Sequence, residues 1–128
     1  MIRFSIDADV RTRVAEFTGT VDDAELLGSY AELTTNPDYD ESLDDLVDLR
    51  GLERLEVSSE SIRRLVSMFT PLDGVAPNTR LAIVAPRDDV FGMARMYQIL
   101  RSDAPEEIAV FRDRAEADAW LAGHRHRK

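Results

Sequence analysis

The chain contains no cysteine, so disulfides, thiolate zinc sites, cysteine nucleophiles and thiol redox chemistry are excluded, and a secreted disulfide scaffold with them. No apolar run approaches the roughly 20 residues that a bilayer-spanning helix needs. The opening MIRFSIDADV lacks the basic-then-apolar pattern of an export signal. No transmembrane segment is expected, and the expected location is the cytoplasm. Positive charge is also scarce: 16 Lys+Arg stand against 25 Asp+Glu, a net charge of -9 that repels a phosphate backbone. Nucleic acid is therefore not an expected partner. Phosphate-loop, dinucleotide, nucleophile-elbow and zincin motifs are all missing. No cofactor is expected, and no acid, base and nucleophile can be assembled into a catalytic set.

What is present is the composition of one folded domain: 128 residues, 44% hydrophobic and 32% charged. Ile2, Phe4 and Ile6 alternate with polar residues, and RTRVAEFTG holds Val14 and Phe17, which predicts a hairpin turned at DADV. A helix follows, opened by Thr20 and the acids Asp22, Asp23 and Glu25, apolar at Leu26, Leu27, Tyr30 and Leu33, and ended by NPD at 36–38. LVDLR predicts a short buried strand over Leu46 to Leu49, stopped by Gly51. Ile62, Leu65, Val66 and Phe69 then mark a second helix, closed by Pro71 and Gly74. The run LAIVA at 81–85 predicts a central strand covered on both faces. A third helix over 87–100, a strand at 108–111 and a fourth helix follow, the last opened by an Asp113-x-x-Glu116 capping box and ended at Gly123. The order predicts an α/β domain over 1–123, with a mixed central sheet of about five strands, four α-helices and a basic tail, HRHRK, at 124–128.

The third helix is apolar on more than one side. Val90, Met93, Ala94, Tyr97 and Leu100 fill one face, Phe91 flanks it, and Met96 and Ile99 lie toward the back. Phe91, Met96 and Ile99 are expected to be covered by a second subunit, a ligand or a neighbouring element. Gly92 suggests a close approach by another backbone or a ligand. Tyr30, Met68, Phe69, Phe91, Met93, Met96 and Tyr97 are the candidate lining of an apolar pocket, chosen for amphipathic placement and for aromatic and methionine content.

The stretch VSSESIRRL places Ser58, Ser59 and Ser61 before the second helix. A serine N-cap accepts a backbone N–H, worth about 1 kcal/mol, and Glu60 complements the helix dipole. The alternative is a phosphorylation switch on Ser58 or Ser59. Asp88 and Asp89 suit a helix start rather than a catalytic carboxylate pair. His124 and His126 stand near the chain end, apart from any expected pocket, and no metal site is expected.

In VDLRG, LAIVAP, FGMARMY and VFRDRAEADAWL the chain resembles the SpoIIAA-like proteins, a branch of the STAS fold named after a bacterial anti-sigma-factor antagonist. The resemblance extends over nearly the whole chain. It implies a small non-enzymatic homodimer binding an apolar or lipid-like ligand. In the antagonists, a serine of a D-S-S-G segment is phosphorylated by a partner kinase. The matching residues here are Val57, Ser58, Ser59 and Glu60, so the serine pair is kept and its flanking aspartate and glycine are not. A regulatory module with a protein partner, switched at Ser58 or Ser59, is the second reading that the resemblance implies.

Overall fold

The computed structural model describes residues 1–72 and 78–125. Five strands form one sheet in sequential order, β1 (Ile2–Asp7), β2 (Thr12–Asp22), β3 (Asp44–Glu56), β4 (Arg80–Val84) and β5 (Glu107–Phe111). The β1–β2 hairpin is antiparallel, and the remaining pairs are parallel. Helices α1 (Asp23–Thr35), α2 (Ser59–Phe69) and α3 (Asp88–Leu100) connect the parallel strands, and α4 (Arg114–Arg125) follows β5.

Strand parity divides the buried side chains between two layers. Ala15, Phe17, Leu49, Leu81 and Ile83 meet Leu26, Tyr30, Ile62, Leu65, Val90, Ala94 and Tyr97 of α1–α3. Leu46, Ala82 and Val84 face the other way, onto Ala117 and Leu121 of α4. The strand β4, interior to the sheet but one place from its edge, is buried along its whole length, because helices cover both its faces.

Several boundaries differ from those expected. The strand β3 does not stop at Gly51; it continues to Glu56. Gly51 is there because β2 passes very close: a Cβ would sit 3.0 Å from Thr18 Cγ2 and 3.2 Å from the Phe17 carbonyl oxygen. The β2 register shifts on either side of this contact, and Gly19 takes φ +66, which favours glycine. The α1 cap is Asp22, not Thr20, accepting the Glu25 N–H at 2.9 Å, since β2 extends to Asp22. The helix α4 runs through Gly123 to Arg125, so His124 is helical rather than part of a tail. A short 3-10 turn, Thr70–Leu72, follows α2. The expected stop at Gly74, and the chain beyond Arg125 including His126, lie outside the described residues.

Candidate functional site

A cavity of about 100 Å³ lies between the α1–α3 layer and the sheet. Its walls are Phe17 and Val47 from the strands, Leu26 and Leu33 from α1, Ile62, Leu65 and Phe69 from α2, and Val90, Met93 and Ala94 from α3. An engineered apolar cavity of about 150 Å³ holds a benzene molecule. The space here therefore suits a molecule of roughly five heavy atoms, and a long acyl chain would require a helix to move.

Of the residues expected to line a pocket, Tyr30, Phe69, Met93 and Tyr97 surround this cavity. Met68, Phe91 and Met96 are half-buried and pack against the core without lining it. Phe91 is covered by the Arg112 guanidinium, 4.1 Å from the ring centroid. A neighbouring element thus covers part of the wide apolar surface of α3, leaving Ile99 at 62% and Leu100 at 41% exposure. Leu100, the last residue of α3, does not join the buried face of Val90, Ala94 and Tyr97. Gly92 faces open space: a Cβ at this position would have no neighbour within 4 Å among the described residues of the chain.

One end of the cavity is polar, through Arg13, Tyr39, Asp45 and Glu106. Arg13 and Asp45 are register partners on β2 and β3, both on the core-facing parity. The Arg13 guanidinium, 4% exposed, donates from Nε to Asp45 Oδ1 at 2.8 Å, from Nη2 to Asp45 Oδ2 at 3.4 Å and from Nη1 to the Asp40 carbonyl at 3.1 Å. The Tyr39 ring lies 4.4 Å from that guanidinium. Burial alone would lower the Arg13 pKa, but the Asp45 charge and hydrogen bond reverse this and raise it. Burial pushes the Tyr39 phenol up to about 12. It also drives Tyr30 and Tyr97 well above the ordinary range, helped by the charges of Asp45 and Glu106. Glu106 itself pairs with Arg101 Nη2 at 3.3 Å. A second, smaller hollow shares Tyr39, Asp45, Phe69 and Glu106 with the cavity.

The polar end was missed because no linear motif contains it. A signal did exist: Arg13 occupies the same alternation as Ala15 and Phe17, and Asp45 the same as Val47 and Leu49. Opposite charges at core-facing positions of two strands imply a pair, once those strands are known to be neighbours.

The serines are elsewhere. Ser58 caps α2, its Oγ accepting the Ser61 N–H at 3.2 Å, while its own N–H donates to Asp23 Oδ1 at 2.8 Å. That bond, with the Ser61 side chain, holds the Asp23 carboxyl below its usual range. Ser59 is exposed in the first turn. Asp88 and Asp89 also lie in a first turn, paired with Arg112 at 2.7 Å and Arg87 at 3.3 Å. His124 is not isolated: its Nε2 lies 3.7 Å from Asp44 Oδ1, against the α4 face. Among the described residues, no three His, Asp or Glu side chains are grouped to hold a metal ion, and no helix is long and apolar enough to cross a membrane.

No protein-family model matches the sequence, and no curated protein matches it. The chain has a SpoIIAA-like fold, an α/β architecture with a five-stranded mixed sheet and four helices. It is similar to the crystal structure of an uncharacterized protein from the DUF3478 family with a SpoIIAA-like fold, from Shewanella loihica PV-4. The TM-score is 0.57 at 18% identity, over 94% of this chain and 92% of that one. This likeness establishes the fold and carries no activity.

Proposed function

We propose that the domain is a non-enzymatic binding module that takes a small apolar ligand into the cavity beneath α1–α3. The observation that supports this is a largely apolar space of about 100 Å³ with a polar end, beneath α1–α3. The carboxylates at that end argue against catalysis, since Asp45 and Glu106 are both engaged by arginines. One copy of the chain supplies every lining residue named here, so the reading does not require the homodimer that the resemblance implies.

A switch on Ser58 or Ser59 with a protein partner is the weaker reading, and at Ser58 it meets an electrostatic obstacle. A phosphate there would meet the Asp23 carboxylate that already holds the Ser58 N–H.

Native mass spectrometry after non-denaturing purification tests the binding reading, together with xenon or benzene titration followed by methyl NMR. Retained small-molecule mass, or shifts confined to Ile62, Leu65 and Met93, is the expected result. Inertness to every probe, unchanged by Ala94→Leu, would remove this function.

A further inference from the structure

We infer that the occupant of the cavity is a neutral molecule bearing one hydroxyl or carbonyl oxygen, held by the Tyr30 and Tyr97 hydroxyls, and not a carboxylate. This rests on the binding reading above.

Tyr30 is 9% exposed and Tyr97 7%, and both line the cavity. Their rings are well fixed. Tyr30 meets Phe4 edge-on at 5.2 Å and Phe69 at 6.0 Å, and Tyr97 sits on the buried face of α3. Yet neither hydroxyl has a hydrogen-bond partner among the described residues. Neither oxygen is fully buried, unlike Nε2 of His124, so a small guest can reach it. Buried tyrosine hydroxyls ordinarily find a partner, because an unmade hydrogen bond costs stability. Two such residues line one cavity, and both phenols feel the charges of Asp45 and Glu106 at its polar end, so they are donors available to an acceptor held there. A guest hydroxyl can accept from one phenol and donate to the other; a guest carbonyl can accept from both. The raised pKa of each phenol keeps its proton in place for donation.

The charge of the guest follows from the remaining lining. Its charged groups are Arg13, Asp45 and Glu106. Three Arg13 donors are spent on Asp45 and the Asp40 carbonyl, and Glu106 is paired with Arg101. An anionic guest would bring an unpaired charge into a buried site beside two carboxylates. A cationic guest would have to displace an arginine from its partner, and would leave the phenol protons without an acceptor. A neutral oxygen avoids both costs.

The test uses the full chain and four probes of nearly equal size, 1-butanol, n-pentane, butyrate and n-butylamine, titrated against the methyl resonances of Ile62, Leu65 and Met93. Butanol should bind about fivefold or more tightly than pentane, the value of one net hydrogen bond. Butyrate and butylamine should leave these methyls unmoved. In the Tyr30→Phe, Tyr97→Phe double variant, butanol should lose its advantage while pentane binding is retained. Should the double variant fold poorly, each single variant is expected to lose part of the advantage. Equal or tighter binding of butyrate, or a butanol preference that survives both Phe substitutions, overturns the inference and leaves the binding reading intact. If no probe binds, pentane included, the binding reading fails and this inference falls with it.

Discussion

On the α4 side of the sheet, Leu46, Ala82, Val84, Ala117 and Leu121 are each 2% exposed or less. The α1–α3 side buries many more large side chains, yet encloses a cavity of about 100 Å³. Asp44 and Asp45 show the same contrast within two consecutive residues. Asp44 points to the α4 side, where its carboxylate accepts the buried Arg80 N–H at 2.9 Å. Asp45 points the other way and pairs with Arg13 at the polar end of the cavity. The core residues of the smaller layer are almost wholly buried, whereas the larger layer holds a cavity with polar groups at one end. Hydrophobic content therefore does not decide where a protein is tight; the fit between three helices and a twisted sheet does.

The contrast can be broken most forcefully with large-to-small changes. Leu121→Ala, at a fully buried site on the tight side, is expected to cost about 3–5 kcal/mol in urea unfolding. Met93→Ala, beside existing space and only half-buried, should cost about 2 kcal/mol or less. Equal losses would mean that the two layers are packed alike. Small-to-large changes sharpen the same point. Ala117→Leu should destabilise by about 1–3 kcal/mol through overpacking, while Ala94→Leu fills the cavity and should stay within about 1 kcal/mol of the parent.

Acid titration offers a further separation. Burial would raise the Asp48 carboxyl, but hydrogen bonds from Arg50 and the charges of Arg50 and Arg114 hold it below its usual range. A depressed folded pKa contributes stability that is present above the unfolded value of about 4 and is lost as pH falls through the folded value. Asp48→Asn should cost about 1–2 kcal/mol at neutral pH and flatten the stability loss on acidification below about 4. An unchanged acid arm in chemical denaturation at several pH values would show that Asp48 carries none of it. The smallest effect is expected at the phenols. Tyr30→Phe or Tyr97→Phe removes a hydroxyl with no partner among the described residues, so stability should hold or rise by up to about 1 kcal/mol in the ligand-free chain.

Some of the fold was legible because it depends on neighbours in sequence. The Ser58 cap, the Asp113 oxygen accepting from Ala115 and Glu116, and the apolar faces of α1 and α2 are local features, and local spacing reveals them. Gly51 misled for a related reason. A glycine in a strand pattern signals either an end or a close approach, and only the position of Thr18 on β2 tells which. Tyr30, Phe69, Met93 and Tyr97 were chosen by helix geometry. That Met68, Phe91 and Met96 sit outside the cavity depended on what covered them, such as the Arg112 guanidinium over Phe91.

The sequence by itself determined the element order, the two-sided burial of β4, the acidic surface and the absence of cysteine chemistry, since each follows from composition or short-range periodicity. Only the tertiary structure decided that Arg13 meets Asp45 across 32 positions of chain, and that Tyr30 and Tyr97 line one space. Strand register and helix docking bring those groups together. Both are set by long-range packing, which no window of neighbouring residues contains.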